Sequence, residues 1–410
     1  MAVYVLGASE EDLPFVNSLF SDLAPILALF GEDLVKQFMS ESMGWCDHIM
    51  FGMAPIGIIS AVVGAIRVSG PYWLKSAIGR GRESSAAVEI ELLSSTSSEI
   101  REIWNGERVE RTTSQATVQP ILWLENTGGK FYTIVEAERE GLLQRKFSKN
   151  QRRRTGDAEG DSPTLSDLDG PRPDCFPNIS LNINPLNKSW ELYAAAAFGV
   201  IIQFSVLLFS GVTVYYAEWN LKFQKKGRPV PGYEYPLMAI GTILLVIGMM
   251  LCSAVIDLST TEEEWAAMAS NGKQGRFNIM WIQKGQIVNE RFFDSYIIFA
   301  RGSRDSILTS YRNIAEGRHS VAGNETEAST LLATLFSLVG FIFQLQGLQG
   351  LHWSASLSQV TAIFAMTAVR GWVRRRSKVP LVFKVLNGHE MDQLALTTFN
   401  EWGRDYIQQW

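Results

Sequence analysis

The chain has 410 residues, with 37 Lys and Arg against 42 Asp and Glu and a formal net charge of −5. That balance excludes a general nucleic-acid binder, which needs a basic excess, and three widely separated cysteines (Cys46, Cys175, Cys252) exclude a disulfide framework and a cysteine zinc site. Charged residues make up only 19%, below the roughly 25% of soluble proteins, so apolar residues must be concentrated in particular stretches.

Residues 1–48 read as an N-terminal amphipathic segment. The first twelve carry three acids and no base, so no secretory signal peptide is expected. The part over 13–30, broken by Pro14, Asp22 and Pro25, is expected to be interfacial or packed against a bundle. Ile49–Ile66 then runs eighteen residues without an ionisable side chain, which predicts a first transmembrane helix over 49–68.

Residues 69–143 read as a strand-rich soluble region. Val88 to Leu92 alternates with period two, and Ile100 to Arg111 is centred on Asn105-Gly106, a hairpin signal. Ile121–Leu124 and Phe131–Val135 add two more strands. A linker over 144–191 follows, expected to be disordered because its low apolar content cannot offset ordering entropy. Its basic cluster (Arg145, Lys146, Lys149, Arg152, Arg153, Arg154) is a candidate site for anionic lipid headgroups at about 1 kcal/mol per charge, or else a solvated tether.

Leu192–Ala217 and Pro236–Ile256 are longer charge-free runs and predict transmembrane helices over 192–217 and 236–256. Trp190 and Trp219 bracket the first of them, about 43 Å apart as a helix, as interfacial aromatics do. The second soluble loop, 257–330, is expected to hold strands at Phe277–Ile282 and Tyr296–Ala300 around a Lys-Gly-Gln turn. Helices over 331–350 and 353–370 bring the count to five, with four as the fallback. The tail 371–410 spaces Met391, Leu394, Phe399, Trp402 and Tyr406 along one helical face. The fold class expected is therefore membrane α-helical, with about five transmembrane helices and a small α+β soluble domain assembled from two large loops.

With five spans, sixteen Lys or Arg flank the helices on the side of both large loops and five on the other. The positive-inside rule then places both loops and the C-terminus in the cytoplasm. Three Asn-x-Ser/Thr sequons, Asn178, Asn187 and Asn324, lie on that side and are expected to be unglycosylated. No catalytic or nucleotide-binding motif is found, and no metal or cofactor is expected. The spans carry no ionisable residue of the kind that marks a coupled transporter. They do carry glycine at seven-residue intervals, Gly57/Gly64, Gly241/Gly248 and Gly340/Gly347, which predicts close helix packing. Gln203, Gln344, Gln346 and Gln359 are expected to act as hydrogen-bonding glue across the bundle.

The stretches Met39–Trp45, Ala61–Arg67, Trp73–Lys75, Val88–Glu91, Pro177–Leu181 and Trp190–Tyr193 together resemble a group of filamentous-fungal multi-pass membrane proteins. Leu221–Phe223, Gly241–Gly248, Ser259–Glu263, Trp281–Gln283, Asp294–Ala300 and Gly388–Glu390 are similar to that group as well. The resemblance covers most of the chain from about residue 20 and implies a multi-pass membrane protein without a catalytic motif. Members often continue into ankyrin repeats, which this sequence does not contain, so ankyrin-mediated binding is not carried over. Some fungal membrane proteins are encoded beside secondary-metabolite pathways, and the resemblance extends that expectation here. The leading expectation is a non-enzymatic scaffold or sensor in the lipid bilayer, with a cytoplasmic α+β domain and a cytosolic protein partner. The alternative is a channel or facilitator for an uncharged small molecule.

Overall fold

Long apolar runs and short alternating segments separate into two compact units in the computed structural model. It describes residues 31–40, 42, 44–97, 99–113, 117–124, 130–147, 178–183, 189–220, 223, 230–268, 275–300, 302–312, 321–373 and 382–386. One unit draws on 1–83, 187–259 and 315–375, the other on 84–186, 260–314 and 376–410.

The first unit is helical: α1 Glu32–Ser40, α2 Trp45–Gly52, α3 Ile58–Ser69, α4 Ser189–Tyr215, α5 Glu234–Leu258, α6 Val321–Gly350 and α7 Trp353–Val373. Three segments, Trp190–Tyr215, Glu234–Leu258 and Glu325–Gly350, are long and apolar enough to cross a bilayer. Among the described residues these three meet that length and hydropathy, where about five spans were expected. Within the set α5 is central, 56% of its apolar window being buried against 28% in α4 and in α6. The outer helices turn Ile201, Phe204, Leu335 and Ile342 outward, an apolar surface suited to lipid rather than water. α7 has 21 residues but carries Ser354, Ser356, Ser358, Gln359 and Arg370, and falls outside that set.

The first apolar run is not one helix. α2 stops at Gly52, and α3 has only 12 residues, about 18 Å of rise against a hydrocarbon core of ~30 Å. Pro55 lacks the N–H that a continuous helix needs, and Gly57 sits at φ 63°, a left-handed conformation that glycine adopts without strain.

α5 and α6 touch backbone to backbone. A Cβ added to Gly241 would run into Gln344 N, one on Gly248 into Ser337 N, one on Gly340 into Leu245 N, and one on Gly347 into Met238 N. Four of the six predicted packing glycines therefore meet in a single helix pair. The other two do not: Gly57 belongs to the break, where a Cβ would meet Val35 and the Gly31 carbonyl, and Gly64 is buried within α3.

The second unit holds twelve strands among the described residues. From the first loop come β1 Arg101–Trp104, β2 Val109–Thr112, β3 Val118–Leu124, β4 Phe131–Tyr132 and β5 Leu143–Phe147. From the second come β6 Thr260–Ala267, β7 Phe277–Gln283, β8 Gln286–Val288, β9 Arg291–Phe293, β10 Tyr296–Phe299 and β11 Ser306–Arg312, and near the C-terminus lies β12 Val382–Val385. A five-stranded antiparallel sheet has the order β12-β10-β7-β3-β4, a three-stranded one β11-β6-β5. The two loops and the tail thus share one sheet. Its middle strand β7 is buried on both faces, which explains an unbroken apolar run instead of alternation. One face packs Leu122, Ile279, Trp281 and Ile298 with Trp265 and Ile307, and the other gathers Ile121, Met280, Ile282 and Ile297.

Several local expectations need correction. Ser85–Leu92 is a helix, not a strand. Ser84 caps it by accepting from Ala87 N–H, and Val88, Glu89 and Leu92 form its buried face. Ile134–Arg139 is also helical, started by a capping box between Thr133 and Glu136, so β4 ends at Tyr132. The Asn105-Gly106 hairpin does form, but over four residues: Asn105 Oδ1 accepts from the N–H of Glu107 and Arg108, and Gly106 takes φ 95°. Residues assigned to the linker contribute the end of β5 and a helix at Ile179–Ile183. Lys149, Arg152, Arg153, Arg154, Asn187 and the helical face expected over 391–406 lie outside the described residues.

Candidate functional site: a broken helix and its polar anchors

A helix that stops among apolar neighbours leaves its last carbonyls without donors. Arg370, near the end of α7, supplies them. Its guanidinium donates to Met50 O at 2.6 Å, Phe51 O at 2.7 Å and Ala54 O at 3.0 Å. It also stacks on the rings of Phe38 and Phe51, 4.8 and 5.5 Å from their centroids. A cation at this position also complements the negative end of the α2 dipole. Although it stands at a helix end beside other arginines, Arg370 is 4% exposed. The break lies against the middle of α5, since a Cβ on Gly52 would meet Val246 and Met250.

One turn earlier on α2, His48 enters a second polar cluster. Its Nδ1 lies 2.8 Å from Ser253 Oγ and 3.5 Å from Ser42 Oγ, and the two hydroxyls are 3.1 Å apart. Its Nε2 lies 3.3 Å from Asp257 Oδ2. Ser253 and Asp257, four apart on α5, present both partners on one helical face. No ionisable residue was expected within the charge-free runs; Asp47, His48, Arg67 and Arg370, just beyond the ends of two of those runs, are all buried in the helical unit.

The order Asp257, His48, Ser253 matches that of a nucleophilic relay, but the geometry opposes acyl transfer. Ser253 is fully buried, and as an interior residue of α5 its N–H is spent on the helix, leaving no local oxyanion donor. What the cluster can do is hold and exchange a proton.

Three of the four glutamines bond within the bundle, while Gln346 is exposed. Gln344 Nε2 donates to Thr242 Oγ1 at 3.1 Å, joining α6 to α5, and Gln203 Nε2 donates to Gln359 Oε1 at 3.4 Å, joining α4 to α7.

The predicted lipid cluster is divided. Arg145 lies in β5, where it pairs with Glu263 and lies 5.8 Å from the Trp265 ring centroid. Glu263 also accepts from Tyr311 OH at 2.6 Å, so the Arg145 charge is spent inside the unit, not offered to a headgroup. Lys146 is the next residue of the same strand. The Asn178 sequon likewise serves the fold. Asn178 Nδ2 donates to Ser94 O at 2.8 Å, Oδ1 accepts from Ser310 N, and Ser180 donates twice to Glu102. At 1% exposure Asn178 has no room for a glycan in the folded unit. Asn324 lies in the first turn of α6.

Beside that network Arg111 donates to the carbonyls of Glu89, Leu93 and Ser95. Burial pushes the Glu89 carboxyl above its ordinary 4.5, against the pull of the Ser95 hydroxyl and Arg111. A carboxyl whose native value is raised contributes stability that is complete below 4.5 and lost as pH climbs through the native value. Glu89→Gln should accordingly raise the unfolding midpoint at pH 7 and leave it nearly unchanged at about pH 4. Thermal unfolding of the full chain at both values checks this, and an equal shift at both would contradict it.

Among the described residues no group of three or more His, Cys, Asp or Glu is placed to hold a metal ion. The three long apolar helices beside a sheet-bearing soluble part are compatible with an integral membrane protein. No protein-family model, curated protein or solved structure matches the chain.

Proposed function

We propose that the chain is a multi-pass membrane protein that acts as a non-enzymatic scaffold or sensor, carrying its α+β unit on the cytoplasmic side. The observation that carries this reading is the weaving of the soluble unit from three stretches, each continuous with a helix of the bundle. Only Ser259 separates α5 from β6. Such an arrangement ties helix position to the state of the sheet, which a scaffold or sensor requires and a simple anchor does not.

Strand pairing also bears on the number of crossings. β12 pairs with β10, and α6 and α7 lie between them in the chain. Both strands reach one side of a bilayer only if the chain crosses an even number of times in between, which favours α7 as a fourth span. The broken α2–α3 segment then fits a re-entrant element, which is tolerated at membrane depth where protein surrounds it. The excess of Lys and Arg beside the two large loops supports a cytoplasmic soluble unit, where a protein partner would meet it. The resemblance to fungal multi-pass proteins is in keeping with this reading.

In sealed microsomes, added protease should digest the soluble unit and a C-terminal tag without detergent. Protection of both would place them in the lumen and favour an extracellular receptor. Proteoliposomes should pass no uncharged solute. A flux abolished by Gln344→Leu would favour the facilitator instead.

A further inference from the structure

We infer that His48, Asp257 and the hydroxyls of Ser42 and Ser253 form a proton-binding site that fastens the broken helix to the C-terminal end of α5. The inference deepens the sensor reading and rests on it. His48 is 3% exposed and is contacted at both ring nitrogens. In the neutral ring Nε2–H donates to the Asp257 carboxylate, while Nδ1 accepts from the Ser253 hydroxyl. Ser253 Oγ in turn accepts from the Ser42 hydroxyl, 3.1 Å away. When a proton is added, Nδ1–H donates to Ser253, whose own hydroxyl rotates to donate to Ser42. Rotation of the Ser253 hydroxyl thus lets the same contact serve Nδ1 as acceptor or as donor.

Imidazole is the side chain that titrates unperturbed between pH 5 and 8. Proton uptake here converts a hydrogen bond into an ion pair with Asp257 and tightens α2 against α5. Besides Asp257, α2 itself carries Cys46 and Asp47 next to His48, and the helices packed against α2 carry Glu191 in the first turn of α4 and Arg370 near the end of α7. Arg370 is already engaged with the α2 carbonyls. β6 begins three residues beyond Asp257, so a change in that residue's hold on α2 bears directly on the strand that pairs with β5 and β11.

The test uses full-length protein with isotope-labelled histidine in lipid nanodiscs, since only four histidines contribute signals. The imidazole resonance that His48→Gln removes should move with pH. Asp257→Asn should move that response to lower pH, because the added proton then has no carboxylate beside it. A ring that stays neutral throughout, or a midpoint unmoved by Asp257→Asn, would overturn the site. Limited proteolysis of the soluble unit at both ends of the titration separates the two claims. A pH-dependent pattern lost in His48→Gln supports both; an unchanged pattern with a titrating His48 leaves the proton site standing and removes the sensor reading.

Discussion

Replacing Arg370 with methionine should lower stability by about 3 kcal/mol, because three buried carbonyls at the end of α2 lose their donors and each such loss costs ~1–3 kcal/mol. Methionine keeps the apolar stem of the side chain, so the loss reports the guanidinium and not a cavity. The carbonyls of Met50, Phe51 and Ala54 come from a helix end and the break after it, and no intrahelical bond can replace what Arg370 supplies. Arg370→Lys should recover about half of the loss. Lysine returns the charge as a point donor but not the planar fork, and it loses the stacking on Phe38 and Phe51. Thermal unfolding of detergent-solubilised protein, followed by tryptophan fluorescence, gives both numbers. A change within about 0.5 kcal/mol for methionine would mean that water, not Arg370, satisfies the break.

The second large effect is expected at Gly340. A leucine there would drive its Cβ into the backbone of Leu244 and Leu245 and toward the Gly241 carbonyl. Backbone cannot step aside as a flexible side chain does, so α5 and α6 must separate along their length. Overpacking of this kind costs ~1–3 kcal/mol where a core can adjust, and more is expected where two backbones form the wall. Gly340→Leu should leave no monodisperse protein after size-exclusion chromatography. Gly371 on α7 provides the control: its added Cβ would meet nothing within 4 Å, and Gly371→Ala should elute as the wild type does. Normal elution of Gly340→Leu would mean that the α5–α6 contact is not needed for a stable bundle.

The helix pair was legible because its glycines recur at fixed spacing within each run, a local signal. The β3, β7 and β10 strands were legible as short apolar runs, and the sharing of one domain by both loops followed from the expected topology, which put both on one face. What failed did so for identifiable physical causes. The first run was read by charge alone, although Pro55 and Gly57 already marked a break. The alternation of Val88–Leu92 outweighed a serine cap and helix-favouring Ala, Glu and Leu, whose buried face follows helical spacing. The candidate site was not legible at all. His48 and Asp257 are separated by 209 positions, and Arg370 by 320 from Met50, so no window of sequence contains either meeting. Arg370 also sits at a helix end beside other arginines, where a flanking charge and an inward-turned one read identically.

The strand order carries a consequence for synthesis of the chain. β3 leaves the ribosome more than 150 residues ahead of β7, its principal neighbour, and β10 waits for β12 near the C-terminus. Through that interval the nascent soluble part holds unpaired strand edges and an incomplete apolar face, the features that make partly made proteins aggregate. Its folding is therefore bound to the synthesis of the intervening helices. A delay in synthesis between β3 and β7 should register first as aggregation or proteolysis of the sheet-bearing part.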